Sequence, residues 1–512
     1  MTTIKLPSNP AHPLRTQLFI NNEWVPSVSS QTFSVVNPAT AQEIAQVSSA
    51  QKEDVDLAVR AARKAFKTTW GKNCLPGERT RLLNKLADLI ERDAQLLGEL
   101  ESVNGGKGVR VARDFDIGDS VACLRYYAGW TDKITGETIE VAPSKVVYTT
   151  ADPIGVCGQI IPWNYPIMMW AWKVGPALAA GCTIVMKPSE LTPLTALAIC
   201  ELIAEAGFPA GVVNCVPGLG ASAGAAIASH MDIDKVAFTG SVQTGRTIMA
   251  AAALSNLKKV TLELGGKSPN IIFSSADLQQ AANWSAMGVF YNSGQDCCAG
   301  TRLYVQEDIY DEFMGILVEK ARACAIGDPL DEATSFGPLI SAGQRDKVLK
   351  YIESGVEEGA KIATGGQKWP QSQGFYIEPT ILTECDPNMK VVKEEIFGPI
   401  LVVSKFKTEE EVLELANGSV YGLGAAVFTN DAKQSMRVAH NLEAGTVWCN
   451  LYGLLNSNVP FGGYKMSGIG RELGSAGVKE YCIIKSIHHN VSEEMVSRVS
   501  VILGHPCARD EE

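Results

Sequence analysis

Between Gly155 and Gly266, apolar strand-like runs alternate with helix-length segments, and this alternation restricts the fold more than any other feature of the chain. The strand runs are GVCGQII (155–161), CTIVMK (182–187), VVNCVPG, DKVAFTG (234–240) and KKVTLELGG (258–266). The helical runs between them are PIMMWAWKVGPALAAG, TPLTALAICELIAEAG, ASAGAAIASH and TGRTIMAAAAL. Strands that are apolar throughout are buried on both faces, and repeated strand–helix–strand units close by right-handed crossovers. The pattern predicts a doubly wound parallel sheet of the nucleotide-binding type. A second alternation from Pro269 to about Lys465, with strands PNIIF, TRLYV, GPILVVSKF and GAAVFTN, predicts a second α/β unit. Gly365-Gly366 and QSQG at 371–374 punctuate it as loops.

The segments before Gly155 follow other rules. LFINNEWVPSVSSQTFSVVN (18–37) alternates about Asn21-Asn22 and starts as a hairpin. A helix follows, with Val55, Ala58, Val59, Ala62, Ala65 and Phe66 at helical spacing and Ser48 or Ser49 as its expected cap. Two amphipathic segments follow Pro76-Gly77, the first with Leu82, Leu83, Leu86, Leu89 and Ile90 on one stripe, and they stop at Gly105-Gly106. A further helix runs toward Trp130. Residues 137–152 then form two β-prone runs about Pro143-Ser144, a ribbon too small to be stable alone and suited to a subunit contact.

At 512 residues the chain exceeds one ordinary core, and about 100–200 residues per domain gives about three units. Its 46% hydrophobic and 20% charged content is that of an ordinary globular protein. The net charge of −11 lies in no block, which argues against a nucleic-acid partner. The N-terminal residues carry no secretory pattern, and no run approaches the roughly 20 apolar residues of a membrane span. The 13 cysteines are scattered without metal-ligand pairing, so no metal site is expected and reduced cytoplasmic thiols are. None of the 6 histidines falls in the motifs below, so a Cys–His dyad is not indicated.

In open α/β sheets ligands bind beyond the carboxyl ends of the strands. Here those ends carry PWN (162–164), KPSE (187–190), FTGS (238–241) and Glu263 in LELGGKSP. Two glycine series, Gly218, Gly220, Gly224 and Gly468, Gly470, Gly474, miss the dinucleotide fingerprint by one residue and read as turn glycines. GSVQTG (240–245) is better placed, joining a strand to a helix whose N-terminal amides can hold an anion. The stretch YNSGQDCCAGTR (291–302) places Cys297 and Cys298 among small residues between a helix and a strand. Each residue has an ordinary alternative: Cys297 as a buried small hydrophobe, Asn164 in a turn before Pro166, Glu263 in a strand-end ion pair, Lys187 with Glu190 on the surface. Together they describe an acyl-enzyme site.

PWNYP, KPSE, FTGS, LELGGKSP, GQDCCAG, EEIFGP and PFGGYKMSG occur in that order, and over roughly residues 18–490 the chain resembles the NAD(P)-dependent aldehyde dehydrogenase superfamily. It looks nearest to the broad-specificity cytosolic and mitochondrial class. The resemblance implies a cofactor-binding domain (18–134 and 154–263), a catalytic domain (264–465), an oligomerisation element (135–153 and 480–495) and tails (1–17 and 496–512). It makes Cys297 the nucleophile, Cys298 a neighbour, Glu263 the general base and Asn164 the oxyanion donor. Lys187 and Glu190 would hold the adenosine ribose, Ser241 the pyrophosphate, and Glu395 and Phe397 the nicotinamide end, with Ile161, Trp163, Gly220 and Gly240 completing the cofactor site. A carboxylate at Glu190 accepts from a free 2′-hydroxyl and repels a 2′-phosphate, favouring NAD, while Lys187 leaves room for NADP.

Tyr165, Met169, Trp172, Tyr291, Leu455 and Phe461 would line the substrate pocket, with Gly453 widening its mouth, a lining suited to an apolar aliphatic or aromatic aldehyde. The expected reaction is oxidation of that aldehyde to the acid through a thioester, by a homodimer or homotetramer. A CoA-acylating reaction and a non-catalytic binding role are the alternatives, and Glu263 argues against the first because a thiol acceptor needs no water-activating base. Asp296 and Ile483 depart from the family pattern, and the Asp296 carboxylate is expected to point away from Cys297. Glu472, in GRELG, matches the family's proton-relay partner of the base.

Overall fold

The structure is a computed structural model that describes residues 3–370 and 373–491. The tail 496–512, residues 492–495 of the expected oligomerisation element and residues 371–372 of the QSQG loop lie outside the described residues.

Helix α1 (Lys52–Thr68) buries Val55, Ala58, Val59, Ala62 and Ala65, as its spacing requires. Its cap is not Ser48 or Ser49. Gln51 is the N-cap, and the Asp54 carboxylate accepts the Gln51 N–H at 2.9 Å while also taking bonds from Ser27 and Val28. An acid at N3 that reaches back to the cap satisfies a donor the helix cannot, and here it ties the preceding loop down as well.

Strands β1 (Val156–Ile160), β2 (Thr183–Lys187), β3 (Val213–Cys215), β4 (Lys235–Thr239) and β5 (Lys259–Glu263) form a parallel sheet in the order β5-β4-β1-β2-β3. Alternate residues serve opposite cores. Val156, Ile160, Val185, Val236 and Phe238 pack with α1 and with Ile248 of the helix Val242–Leu254. Cys157, Ile184, Met186, Val213 and Ala237 pack with the helices Pro166–Ala180, here α2, and Leu194–Ala206. The sheet is therefore doubly wound.

Two antiparallel additions close its edges. The hairpin Leu18–Ile20 and Glu23–Val25 turns at Asn21 and Asn22, both left-handed (φ 57° and 62°), and joins β3. At the other edge Gly468–Ile469, which falls in none of the domains expected from the sequence, pairs with Leu262 and Glu263 of β5.

The second sheet contains β6 (Pro269–Ile272), β7 (Arg302–Gln306), β8 (Thr380–Thr383), β9 (Ile400–Phe406), β10 (Gly424–Phe428) and β11 (Thr446–Cys449). They run parallel in the order β8-β9-β7-β6-β10-β11, with Lys361–Thr364 antiparallel at the β8 edge. The 137–152 ribbon is the antiparallel pair Thr138–Ala142 and Lys145–Pro153, turning at Pro143-Ser144, and Cys482–Asn490 adds a third strand. Ile139, Val141, Val146, Ile483 and Ile484 are exposed on it. Among the described residues no helix is long and apolar enough to cross a membrane.

Candidate active site

The helix Leu278–Phe290 delivers the chain to a tight turn in which Asn292, Ser293 and Gly294 are all left-handed. Only glycine fits at 294, because a Cβ there would lie 2.2 Å from the Gly398 carbonyl. Amide side chains lock the turn and the residues after it. Asn292 donates to the carbonyls of Asn164 (3.0 Å) and Gln295 (3.2 Å), and Gln295 Oε1 accepts from the Ile340 N–H (2.9 Å). Cys297 emerges half-buried from this frame into a cavity of about 670 Å³.

That cavity gathers the expected groups. Asn164, Glu263 and Cys297 line it, as do Trp163, Gly240, Ser241, Glu395 and Phe397 of the cofactor set. So does every expected pocket residue: Tyr165, Met169, Trp172, Tyr291, Gly453, Leu455 and Phe461. A Cβ at Gly453 would sit 3.6 Å from the Met287 Cε, an ordinary contact. Ile161, Lys187, Glu190 and Gly220 do not line the cavity. They group beside the ends of β1 and β2, where the Ile161 N–H bonds to the Lys187 carbonyl and the turn that begins at Gly220 passes Lys187. Lys187 is buried, not a surface group, and its Nζ donates to Glu190 Oε2 at 3.1 Å. The Ser241 hydroxyl caps the helix Val242–Leu254 by accepting from the Thr244 N–H.

Glu263 ends β5 at 5% exposure, and no described residue donates to its Oε2. Burial and then the Glu472 carboxylate hold its pKa well above the ordinary carboxylate range, with Lys173 and Arg471 opposing. Lys173 is completely buried on α2 and donates to Glu472 Oε1 and Thr239 Oγ1, each at 2.6 Å. The Phe461–Glu472 bridge folds the intervening loop over Glu263.

At Cys297, contact with the Cys298 thiol favours the thiolate, but burial and the carboxylates of Asp296, Glu395 and Glu263 outweigh it and raise the thiol pKa. Asp296 is turned onto other partners: the Tyr165 hydroxyl donates to Oδ2 at 2.9 Å and the Cys298 N–H to Oδ1 at 3.0 Å. The carboxylate thus makes no bond to Cys297, yet its charge still reaches the sulfur. Asn164 spends one side-chain N–H on the Gln295 carbonyl (3.0 Å) and keeps the other. Glu395 accepts the Gly266 N–H at 3.0 Å, and burial pushes its pKa up to about 7. Phe397 is left-handed (φ 60°), meets the Trp163 ring edge-on at 5.2 Å, and is held by Gln344 Nε2 on its carbonyl.

Comparison with known proteins places the chain in a family. The profile described as the aldehyde dehydrogenase family matches residues 24–487. The chain belongs to the aldehyde dehydrogenase family. It is 51% identical over 478 residues to an aldehyde dehydrogenase of Emericella nidulans, covering 93% of this chain and 96% of that one. Aldehyde dehydrogenase 1A1 of Ovis aries is 52% identical, with 94% and 96% covered. Among solved structures, the NAD+ complex of the Bacillus cereus aldehyde dehydrogenase superposes with a TM-score of 0.92 at 50% identity, covering 93% of this chain and 97% of that chain. Betaine aldehyde dehydrogenase from Staphylococcus aureus, in complex with NAD+, gives 0.92 at 40% identity, with 94% and 96% covered.

For this family member, sequence reasoning missed Lys173, Thr239, Gln344 and Asp119. Lys173 left a signal: it is the one charged residue in the apolar run PIMMWAWKVGPALAAG, four residues after Met169 and therefore on the same helix face. Gln344 and Asp119 left none, since each lies in a polar, ordinary-looking helical stretch.

Proposed function

We propose that this chain oxidises an aldehyde to a carboxylic acid with NAD, through a thiohemiacetal and then a thioester on Cys297. The observation that carries the reading is the meeting of Asn164, Glu263 and Cys297 in one cavity with Glu395 and Phe397. The Cys297 sulfur bonds to the aldehyde carbon. Asn164's remaining N–H and the Cys297 backbone N–H, to which no described residue offers an acceptor, stabilise the oxyanion, about 2.7–4 kcal/mol per donor. Glu263, with a free carboxylate oxygen, removes a proton from the water that opens the thioester and so returns Cys297. Lys173 and Glu472 lie behind it and carry that proton onward.

The residues fit a dinucleotide. A Cβ at Gly265 would lie 2.2 Å from Glu395 Oε2, so glycine there leaves the carboxylate its place at the nicotinamide-ribose end. Trp163 and Phe397 would hold the ring, the amides at Ser241 the pyrophosphate, and Lys187 with Glu190 the adenosine ribose. When bound, NAD supplies the hydride acceptor and a positive charge that favours the thiolate. Glu190 supports NAD over NADP.

Residues 18–134 with 154–263 serve as the cofactor-binding unit and 264–465 as the catalytic unit. The apolar exposed face of the 138–153 and 482–490 sheet supports a homodimer or homotetramer, checked by sedimentation. The unpaired thiols among the described residues support a cytoplasmic setting. Cys297→Ala abolishes NADH formation from aldehyde and NAD, whereas Cys298→Ala retains it. Equal loss in both variants would overturn the assignment of the nucleophile.

A further inference from the structure

Lys107 is buried, where an ammonium is costly, and no step of the oxidation chemistry uses it. Gly106 before it is left-handed (φ 83°), and a Cβ there would meet the Pro338 and Pro38 rings at 2.7 and 3.0 Å. Only glycine makes this turn, which sends the next side chain inward. The Lys107 ammonium ends 3.8 Å from the centre of the Tyr165 ring. Asp116, completely buried in the π-helical turn Ala112–Ile117, pairs with it. Glu101 is the other carboxyl beside Lys107, and burial with the Asp116 charge pushes its pKa up to about 8. Near neutral pH Glu101 is therefore uncharged, and Lys107 with Asp116 forms a neutral pair.

Tyr165 links this pair to the nucleophile. Its ring lies nearly parallel to that of Tyr291, with centres 6.4 Å and planes 18° apart, and its hydroxyl donates to Asp296 Oδ2 at 2.9 Å. Asp296 Oδ1 accepts the Cys298 N–H at 3.0 Å and the Cys298 thiol at 3.3 Å. These neutral donors hold a carboxylate that stands next to Cys297 in the chain. The groups whose charge or hydrogen bond reaches the Cys297 sulfur are Cys298, Asp296, Glu395 and Glu263, and of these carboxylates Asp296 is the one held by Tyr165. A cation on a ring face fixes the ring, and by drawing π density from it makes the hydroxyl a stronger donor.

We propose that Lys107 is a positioning residue for the Cys297 nucleophile: anchored by Asp116 and seated on the Tyr165 ring, it keeps the Tyr165 hydroxyl on Asp296 and so holds that carboxylate away from the sulfur. The proposal rests on the oxidation reading above, in which the Cys297 sulfur attacks the aldehyde. Without the ammonium the Tyr165 ring is free to turn and Asp296 loses a donor. Its carboxylate then swings toward Cys297, where a negative charge disfavours the thiolate.

Lys107→Met alone would strand the buried Asp116 carboxylate, so the test variant combines Lys107→Met with Asp116→Asn and removes one charge of each sign. The readout is the pH midpoint for iodoacetamide labelling of Cys297, localised by tandem mass spectrometry, with neither NAD nor aldehyde present. The midpoint rises by about 1 pH unit in the combined variant and in Tyr165→Phe, which keeps the ring and loses the donor. Lys107→Arg, which keeps a cation on the ring, retains the wild-type midpoint. With Asp296→Asn also present, the combined variant no longer moves the midpoint, a dependence that a merely structural role for Lys107 does not produce. A midpoint unmoved by the combined variant, or moved equally with Asp296→Asn present, overturns the proposal and leaves the oxidation reading standing. A wild type that forms no NADH from NAD with any of a panel of aldehydes overturns the oxidation reading and this proposal with it.

Discussion

Replacing Glu263 by Gln separates the two halves of the reaction. The amide is close to isosteric with the carboxyl, so the tight surroundings of this 5% exposed side chain are preserved while the proton acceptor is lost. A positioned general base contributes about 10²–10⁴-fold, which is about 3–5 kcal/mol of barrier. On the mechanism proposed above that loss falls on thioester hydrolysis, because the Cys297 thiol loses its proton to solvent before attack and hydride departure needs no base other than the oxyanion. Rapid mixing of Glu263→Gln with NAD and aldehyde should therefore show an NADH burst of about one per active site, followed by a steady state slower by at least about a hundredfold.

The pH dependence gives a second, independent reading. Burial and Glu472 raise the Glu263 pKa well above the usual carboxylate value, so the wild-type steady-state rate climbs with pH through an unusually alkaline limb as the base ionises. The Gln variant loses that limb. A steady-state rate in Glu263→Gln equal to wild type would refute the base assignment, and loss of the burst along with turnover would place Glu263 in the acylation half instead.

Three further perturbations probe the surroundings. Lys173→Met strands the buried Glu472 carboxylate, costing about 3–5 kcal/mol in unfolding free energy by denaturant titration, and moves the Glu263 limb to higher pH because an opposing cation is gone; an unmoved limb would detach Lys173 from the base. Glu101 is buried with Oε1 unpartnered, and burial with the Asp116 charge pushes its pKa up to about 8. A carboxyl raised in the folded state binds its proton more tightly there than when unfolded, so stability falls as pH rises from about 4.5 to about 8. Glu101→Gln should raise Tm more at pH 8 than at pH 5, and equal shifts would contradict this. Asp296→Asn removes a negative charge beside Cys297, so the pH midpoint for iodoacetamide labelling of Cys297, followed by mass spectrometry, should move down; an unchanged midpoint would show that the carboxylate does not act on the sulfur.

What could be read from the chain, and what could not, divides by the range of the interaction responsible. β1 to β5 are short and apolar, and strand–helix alternation with polar residues at the carboxyl ends is a local pattern, so Asn164, Lys187, Ser241 and Glu263 stood out without any contact being known. The cap of α1 was misplaced because Asp54 wins over a serine only by also binding the loop at Ser27 and Val28, residues remote in sequence. Gly468–Ile469 is two residues long, and its pairing with β5 spans some two hundred positions of chain, which no local propensity announces. That the Asp296 carboxylate avoids a bond to Cys297 was expected, but the partner that holds it, Tyr165, lies 131 positions away.

Helix α2 shows why the missed residues matter to function. From its N-cap Tyr165, one face carries Met169, Trp172 and Lys173, the first two lining the cavity and Lys173 bonding to Thr239 and Glu472 deeper in the core. Trp172 is tied to Asp119 and Lys173 to Glu472, so one rigid element holds both part of the cavity wall and the cation that favours the ionised form of Glu263. A helix moves as a unit, and a displacement at Trp172 is passed to Lys173 through a single peptide. Replacing Trp172 by a residue of different volume should therefore shift the pH limb set by Glu263, whereas Asp119→Asn, on a different helix and outside the charges that act on Glu263, should leave that limb where it is.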